Sequence, residues 1–338
     1  MKRLLLIDGT NFFFRGSWGG NLTFNGRNVK NLYSFVGNLC SLVRKFEDAG
    51  EDVDVVVCWD GGYDERLKIS EEAVSSGLIL KSYKQERREA RENNAEDVDF
   101  TWQLKKAQEM LAYTRIRQCR IQGEEADDVV GSYCRANLGR FDEIDLVTTD
   151  RDYYQLLWEG VRIYNSTKDE YISMSDITME YGITTPEQWI DVGAIAGESG
   201  SSSDTIYGVP GIGYKGASML ISRYGSIGGI MDSAETIYSQ QLAEYGYEGF
   251  RQKVIDRSFK PKHLKEAMVL AYRDVLEIAY QLKRIHTHLD VSLYDTSPSW
   301  ELLEEFFQSL RFKVSTNNFH TLLRKPCTPV QFHLEVQE

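Results

Sequence analysis

Three apolar runs in this chain each end on an aspartate: Leu4-Leu5-Leu6-Ile7-Asp8, Val55-Val56-Val57-Cys58-Trp59-Asp60 and Ile144-Asp145-Leu146-Val147-Thr148-Thr149-Asp150. Short runs of this kind between polar segments read as strands buried on both faces of a parallel sheet. In such a sheet the binding crevice lies beyond the carboxyl ends of the strands, where Asp8, Asp60 and Asp150 would stand. One terminal aspartate is as readily a helix cap or turn former. Three in one sheet, with further acids behind them, point to a metal site. Glu125-Ala126-Asp127-Asp128 opens a helix, with Glu125 and Asp128 three apart on one face. Acids in a first turn also complement the helix dipole, so this motif alone decides little. Asp150 and Asp152 fall where a strand meets the next helix, and Asp204 brings the candidate acids to eight. Clustering so many anions without partners raises their pKa values and is unfavourable, and bound cations are the natural counterweight. All-oxygen ligands suit Mg2+ or Mn2+. Two such ions about 4 Å apart would stabilise the attacking and leaving oxygens of a phosphodiester displacement. No His/Cys set is spaced for zinc and no Ser/His/Asp arrangement stands out, which leaves phosphodiester hydrolysis as the favoured chemistry.

Two further segments have the composition of phosphate-binding elements. Gly208-Val209-Pro210-Gly211-Ile212-Gly213-Tyr214-Lys215-Gly216 precedes a helix. Its glycines let the backbone approach a phosphate, and the helix N-terminus supplies free N–H groups. Lys215 in the first turn is unfavourable to the dipole unless an anion docks there. A plain helix-hairpin-helix connector is the simpler alternative. Lys81-Ser82-Tyr83-Lys84-Gln85-Glu86-Arg87-Arg88-Glu89-Ala90-Arg91 places five basic residues around one tyrosine. Such a mixture is usually a solvated helix face. It would also let Tyr83 stack on a base while Lys84, Arg87 and Arg91, at helical spacing, meet phosphates.

These residues need a scaffold, and the sequence describes one. From 1 to about 185 strands alternate with helices, predicted at Val29–Ala49, Thr101–Tyr113, from near Glu124, and at Tyr153–Trp158; Arg115–Ile121, Val161–Tyr164 and Tyr171–Ser173 read as short strands. That alternation predicts an α/β fold with a mostly parallel central sheet flanked by helices. From 186 to 293 the chain reads as helices (Pro186–Ala196, Lys215–Tyr224, Ile227–Asp232, Glu235–Tyr245, Lys262–Tyr272) joined by glycine-rich turns. The last part, 294–338, shows one amphipathic helix, Trp300–Leu310, and then a sparse, loosely held apolar segment. The chain of 338 residues has 42% apolar and 27% charged residues, as a globular protein does. No apolar run approaches the ~20 residues that span a membrane. Five cysteines without metal-ligand spacing predict a reduced, cytoplasmic protein without disulfides. A net charge of −12 argues against indiscriminate coating of nucleic acid, but leaves room for an acidic site beside a local basic path.

Taken together, the motifs resemble the flap endonuclease/5′-nuclease family, which includes stand-alone bacteriophage enzymes and the 5′-nuclease domain of bacterial DNA polymerase I. The resemblance covers about residues 1–290. Asp8-Gly9-Thr10-Asn11 with Arg15, Trp59-Asp60, Glu125-Ala126-Asp127-Asp128 and Thr148-Thr149-Asp150-Arg151-Asp152 look like its acidic motifs. Tyr83, Lys84 and Arg87 look like the foot of a helical arch, about 81–105, that admits a single-stranded 5′ end. The 208–213 turn looks like a helix-three-turn-helix, which implies a K+ ion held by backbone carbonyls, here those of Val209 and Ile212. One departure stands out: the family's Gly-Asp-x-x-Asp-Asn is here Gly197-Glu198-Ser199-Gly200-Ser201-Ser202-Ser203-Asp204-Thr205. Aligned backwards from Asp204, Ser201 replaces the first aspartate. Aligned from the preceding helix, Glu198 fills that place and three small residues are inserted, an insertion a flexible loop accommodates.

The resemblance implies a structure-specific 5′-nuclease acting with two Mg2+ (or Mn2+) ions on branched, flap, nicked or 5′-ended DNA and on RNA primers paired to DNA. Asp8, Asp60, Glu125, Asp127 and Asp128 would hold the tighter ion, and Asp150, Asp152, Asp204 and Glu198 the second. Lys84 and Arg87, with Asp128 and Asp150, would be the catalytic residues. Tyr83, Lys84, Arg87, Arg88, Gly211, Gly213 and Lys215 would bind DNA. A monomer serving replication or repair, of bacteriophage origin and working in the host cytoplasm beside a replication-protein partner, fits this reading. No clamp-binding peptide is evident after Tyr294. The rivals are a flap-binding protein with a weakened site and a PIN-type ribonuclease.

Overall fold

The computed structural model describes residues 1–15, 22–92, 96–198 and 204–323, and the side chains of all of these except 90–92 and 96–98. The elements run β1 (Lys2–Asp8), α1 (Gly9–Phe14), β2 (Thr23–Phe24), β3 (Arg27–Asn28), α2 (Lys30–Asp48), β4 (Asp52–Trp59), α3 (Asp64–Ser75), α4 (Gln85–Glu92), α5 (Glu96–Ala112), β5 (Arg117–Arg120), α6 (Ala126–Ala136) and β6 (Glu143–Val147). A 3-10 turn over Arg151–Leu156 leads to β7 (Val161–Asn165), β8 (Glu170–Ile172) and α7 (Met174–Tyr181). The helical part holds α8 (Gln188–Ala196), α9 (Tyr214–Tyr224), α10 (Ile227–Ile237), α11 (Ser239–Ile255), α12 (Leu264–Ala271) and α13 (Arg273–Lys283), followed by α14 (Trp300–Ser309) and α15 (Thr316–Leu323).

The main sheet has the order β5-β4-β1-β6-β7-β8. All neighbours are parallel except the edge strand β8. Alternation along each central strand divides the core in two. Leu4, Leu6, Val56, Cys58, Ile144 and Leu146 face a layer with Val129, Val130 and Tyr133 of α6 and Trp189 of α8. Leu5, Ile7, Val55, Val57 and Trp59 face α2, α5, α14 and α15. A sheet covered on both faces explains why its strands read as unbroken apolar runs. In α2 the buried Leu32, Phe35, Val36, Leu39, Val43 and Phe46 recur at the spacing of one helical stripe. The chain reverses direction across the sheet beside β1, which pairs with β4 on one side and β6 on the other. That switch point is where a crevice opens at the carboxyl ends.

The structure departs from the sequence reading in several places. The 153–158 helix is a 3-10 turn set two residues earlier. The helices expected to end at 232 and start at 235 run 227–237 and 239–255, the second kinked where Gly246 takes a φ of 65°. Helices α1, α3, α7 and α13 and the β2–β3 pair were not anticipated. As far as 323 the segment after 310 is packed rather than loose: α15 buries Phe319 and Leu322 against α2, and Trp300 stacks on Phe319 at 4.7 Å. Residues 324–338, with Cys327, lie outside the described residues; the four described cysteines are free and buried. Among the described residues, no helix is long and apolar enough to cross a membrane.

Candidate active site and metal centre

Each strand-terminal aspartate caps the segment that follows or faces it. Asp8 Oδ1 accepts the Asn11 N–H at 3.0 Å at the start of α1. Asp150 Oδ1 accepts the Asp152 N–H at 2.9 Å. Asp60 Oδ1 accepts the Ala126 N–H at 2.8 Å, so it sits on the N-terminus of α6. Capping and clustering are therefore one arrangement: the caps fix where the carboxylates stand. The Asp60 contact depends on Gly61, whose N–H bonds to the Glu124 carbonyl at 2.7 Å while its own carbonyl accepts from Gly123 at 3.1 Å. No side chain fits there, since a Cβ on Gly61 would lie 1.6 Å from the Ile121 carbonyl oxygen.

Glu125, Asp127 and Asp128 lie close enough for oxygens of all three to share one ion. Their partners differ. Asp128, wholly buried, receives both Nη groups of Arg66 (Nη2 to Oδ1 at 2.8 Å) and the His286 N–H at 2.7 Å. Glu125 is reached by Arg66 Nη1 at 3.0 Å, by the Lys84 ammonium and by the Tyr83 hydroxyl at 3.0 Å. Asp127 accepts the Asp128 N–H at 2.8 Å. Burial raises the pKa of Glu125, and burial with the neighbouring Asp128 raises that of Asp127 strongly. Burial and then Asp60 push Asp8 up to about 6, against the hydrogen bonds from Asn11 and Tyr153. Burial and then Asp152 push Asp150 up to about 7.

Asp204 joins the cluster from the other side. Its carboxylate is 2.9 Å from Arg87 Nη1, 3.9 Å from the Lys84 ammonium and 3.2 Å from the Tyr83 hydroxyl. Its carbonyl accepts the Lys84 N–H at 2.9 Å. Lys84 takes a left-handed φ of 53°, a conformation that is unfavourable for a lysine. Glu198 is held by an antiparallel bridge to Ile206, with bonds of 2.7 and 3.0 Å. Glu198 shares the Lys283 ammonium with Asp152; Ser201 of the other alignment lies outside the described residues.

Two expected DNA contacts are redirected. Tyr83 is only 3% exposed, with its ring against Tyr63 at 5.7 Å, so it cannot stack on a base; it supports Glu125 and Asp204 instead. Arg88 turns back onto its own loop, donating to the Tyr83 carbonyl at 2.6 Å and the Ser82 hydroxyl at 2.8 Å. Nothing is described of the Arg91 side chain. In the glycine-rich turn, Gly211 (φ 81°), Gly213 and Lys215 are exposed, while Val209 and Ile212 bury their side chains and join by an N–H to carbonyl bond of 3.1 Å. Gly208 packs where a Cβ would lie 2.5 Å from the Ile195 carbonyl, which lets the turn run against the end of α8.

Sequence reasoning missed three supporting groups. Arg66 of α3 holds Asp128. Tyr153 gives its hydroxyl to Asp8 Oδ2 at 2.9 Å. Lys283, at the end of α13, places its ammonium 3.0 and 2.9 Å from the two Asp152 oxygens and against Glu198. The signal for Lys283 was present: it lies four residues after Ala279 and seven after Leu276, on the buried stripe of α13.

A family described as "5′-3′ exonuclease, N-terminal resolvase-like domain" matches residues 3–182, and one described as "5′-3′ exonuclease, C-terminal SAM fold" matches 184–300. Among curated relatives, thermostable DNA polymerase I of Thermus filiformis is 27% identical over 327 residues, covering 95% of this chain and 34% of the polymerase. The chain thus spans about a third of the length of the polymerases it matches. A 5′-3′ exonuclease of Buchnera aphidicola is 24% identical over 313 residues, covering 91% of this chain and 94% of that one. Among solved structures, a bacteriophage T5 flap endonuclease in complex with DNA and metal ions superposes with a TM-score of 0.61 at 22% identity, covering 91% of this chain and 98% of that one. The N-terminal family match extends over more than half of the residues and takes in Asp8, Asp60, Glu125, Asp127, Asp128, Asp150 and Asp152, and by that match the chain belongs to the 5′-3′ exonuclease family.

Proposed function

We propose that this chain is a structure-specific 5′-nuclease that cuts flap, nicked or 5′-ended DNA, and RNA primers paired to DNA, with the aid of divalent metal. The observation that carries the reading is the convergence of Asp8, Asp60, Glu125, Asp127, Asp150 and Asp204 at the carboxyl ends of β1, β4 and β6, with Lys84 and Arg87 at one edge. The donor set is all oxygen, and burial and mutual repulsion raise Asp8, Asp127 and Asp150, which fits Mg2+ or Mn2+. Asp8, Asp60, Glu125, Asp127 and Asp150 would hold the ion. When bound, such an ion polarises the phosphate and makes water a stronger nucleophile at neutral pH. Asp128 has its oxygens on Arg66 and a backbone N–H, and we assign it to positioning Glu125 and Asp127.

Lys84 and Arg87 place cations beside Asp204, where they offset charge that builds on the phosphate oxygens during displacement. Lys215 and the exposed backbone at Gly211 and Gly213 offer a cation and N–H groups to duplex phosphates. The Val209 and Ile212 carbonyls are our candidates for a K+ site in that turn. The working form is a monomer, acting in the cytoplasm beside other replication proteins. Forked DNA, blunt duplex and structured RNA offered side by side test the substrate class. The fork should be cut fastest, near its single-strand/duplex junction; preference for structured RNA, or equal cutting of all three, would remove the structural specificity.

A further inference from the structure

Asp152 and Glu198 are two of the acids from which the sequence builds a second metal site. Between them stands a buried lysine. Lys283 is 1% exposed, and its ammonium meets three carboxylate oxygens: Asp152 Oδ1 at 3.0 Å, Asp152 Oδ2 at 2.9 Å and Glu198 Oε1. A lysine ammonium has three N–H donors, so this set uses all of them. None is left for substrate, and a side chain this buried cannot reach a phosphate in the crevice.

The placement is built into the fold. The Lys283 stem runs along α8 at Gly193, where an added Cβ would lie 3.3 to 3.5 Å from its Cδ, Cε and Cγ. Glycine inside a helix is less favourable than alanine, and here it clears a lane for the stem. The backbone is held on both sides: Gln155 Nε2 donates to the Lys283 carbonyl at 3.0 Å, and Gln155 Oε1 accepts the Ile285 N–H at 2.8 Å. A divalent ion would need the same oxygens and would meet a fixed positive charge among them. The second site does not fit an ion.

We propose that Lys283 takes the place of the second divalent ion: its ammonium is a permanent counterion for Asp152 and Glu198, and the enzyme works with one bound metal. Lys283 is on this account a positioning residue, acting through the two acids. The inference rests on the reading of the carboxylate cluster as a nuclease metal site, and the test separates the two. The full-length, DNA-free protein is titrated with Mn2+ while the electron paramagnetic resonance signal of the free ion is followed, which counts bound ions without reference to activity. The wild-type chain should bind one Mn2+. Lys283→Gln, which removes the charge and shortens the side chain by one atom, should bind two, and its cleavage rate should change from first-order to second-order dependence on Mn2+ concentration. Two ions of similar affinity in the wild type, or an unchanged count in a folded Lys283→Gln variant, would overturn the assignment of Lys283 and leave the nuclease reading standing. No bound ion at all would overturn both. If Lys283→Gln fails to fold by circular dichroism, the wild-type count decides alone.

Discussion

Replacing Arg66 by methionine tests how the acidic cluster is held together. Arg66 is buried on α3 and donates to both oxygens of Asp128, to Glu125 at 3.0 Å, and to the carbonyls of Leu282 at 3.1 Å and Arg284 at 2.9 Å. One side chain thus joins α3, the start of α6 and the end of α13. Methionine fills much of the same volume but strands the Asp128 carboxylate, which water cannot reach. Removing one partner of a buried ion pair costs about 3–5 kcal/mol, and the two carbonyls add roughly 1 kcal/mol if the end of α13 and the segment after it relax around them. With about 2 °C per kcal/mol in a chain of this size, the metal-free protein should melt about 8–12 °C lower. Urea unfolding in chelator at neutral pH gives the free energy. The double variant Arg66→Met/Asp128→Asn has no stranded charge and should lie well above the sum of the two single losses, with a coupling of about 2–3 kcal/mol. A single-variant loss below about 1 kcal/mol, or strictly additive losses, would refute the claim that Arg66 and Asp128 form one buried unit.

Other expectations follow from the same geometry. Gly61→Ala should lower stability by at least about 1–3 kcal/mol and weaken Mn2+ binding, because the Cβ would collide with the Ile121 carbonyl and displace Asp60 from α6; unchanged melting and ion affinity would contradict this. Asp8 and Asp150 have folded pKa values of about 6 and about 7, above their ordinary value, so their charged forms are disfavoured in the folded state. Their contribution to stability is therefore greatest near pH ~4 and lost as pH rises through these values. Mg2+ should then raise the melting temperature more at pH ~8 than at pH ~5.5, and equal gains would place the ion elsewhere. Lys84→Met should slow flap cleavage by about 10²–10³-fold while flap binding changes little; a loss confined to binding would make Lys84 a docking residue only.

The strands and their terminal acids were legible because both faces of the sheet are covered, which turns β1, β4 and β6 into plain apolar runs with a polar stop. The Glu125–Asp128 motif decided little by itself, since acids in a first turn also suit the helix dipole, and gained meaning only beside the strand-terminal acids. The counterions were not legible. Arg66 lies 62 residues from Asp128, and Lys283 lies 131 and 85 residues from Asp152 and Glu198, so no local pattern links them. Both nevertheless left a trace, as charged residues on the buried face of a helix: Arg66 with Ser70 and Ala73, Lys283 with Leu276 and Ala279. Tyr83 misled because an aromatic among basic residues reads as a stacking platform. Its burial is decided by the Ser70 hydroxyl, which receives the Tyr83 N–H at 2.8 Å, and by Glu125 and Asp204, which accept from its hydroxyl.

The central claim is metal-dependent cutting at a junction. A 5′-labelled flap incubated with the protein in Mg2+ and in EDTA, with product lengths resolved on a gel, tests it most directly. Products ending near the single-strand/duplex junction, formed with Mg2+ and absent with EDTA, are the predicted result. Tight flap binding without cutting in either Mg2+ or Mn2+, or cutting that persists in EDTA, would contradict it.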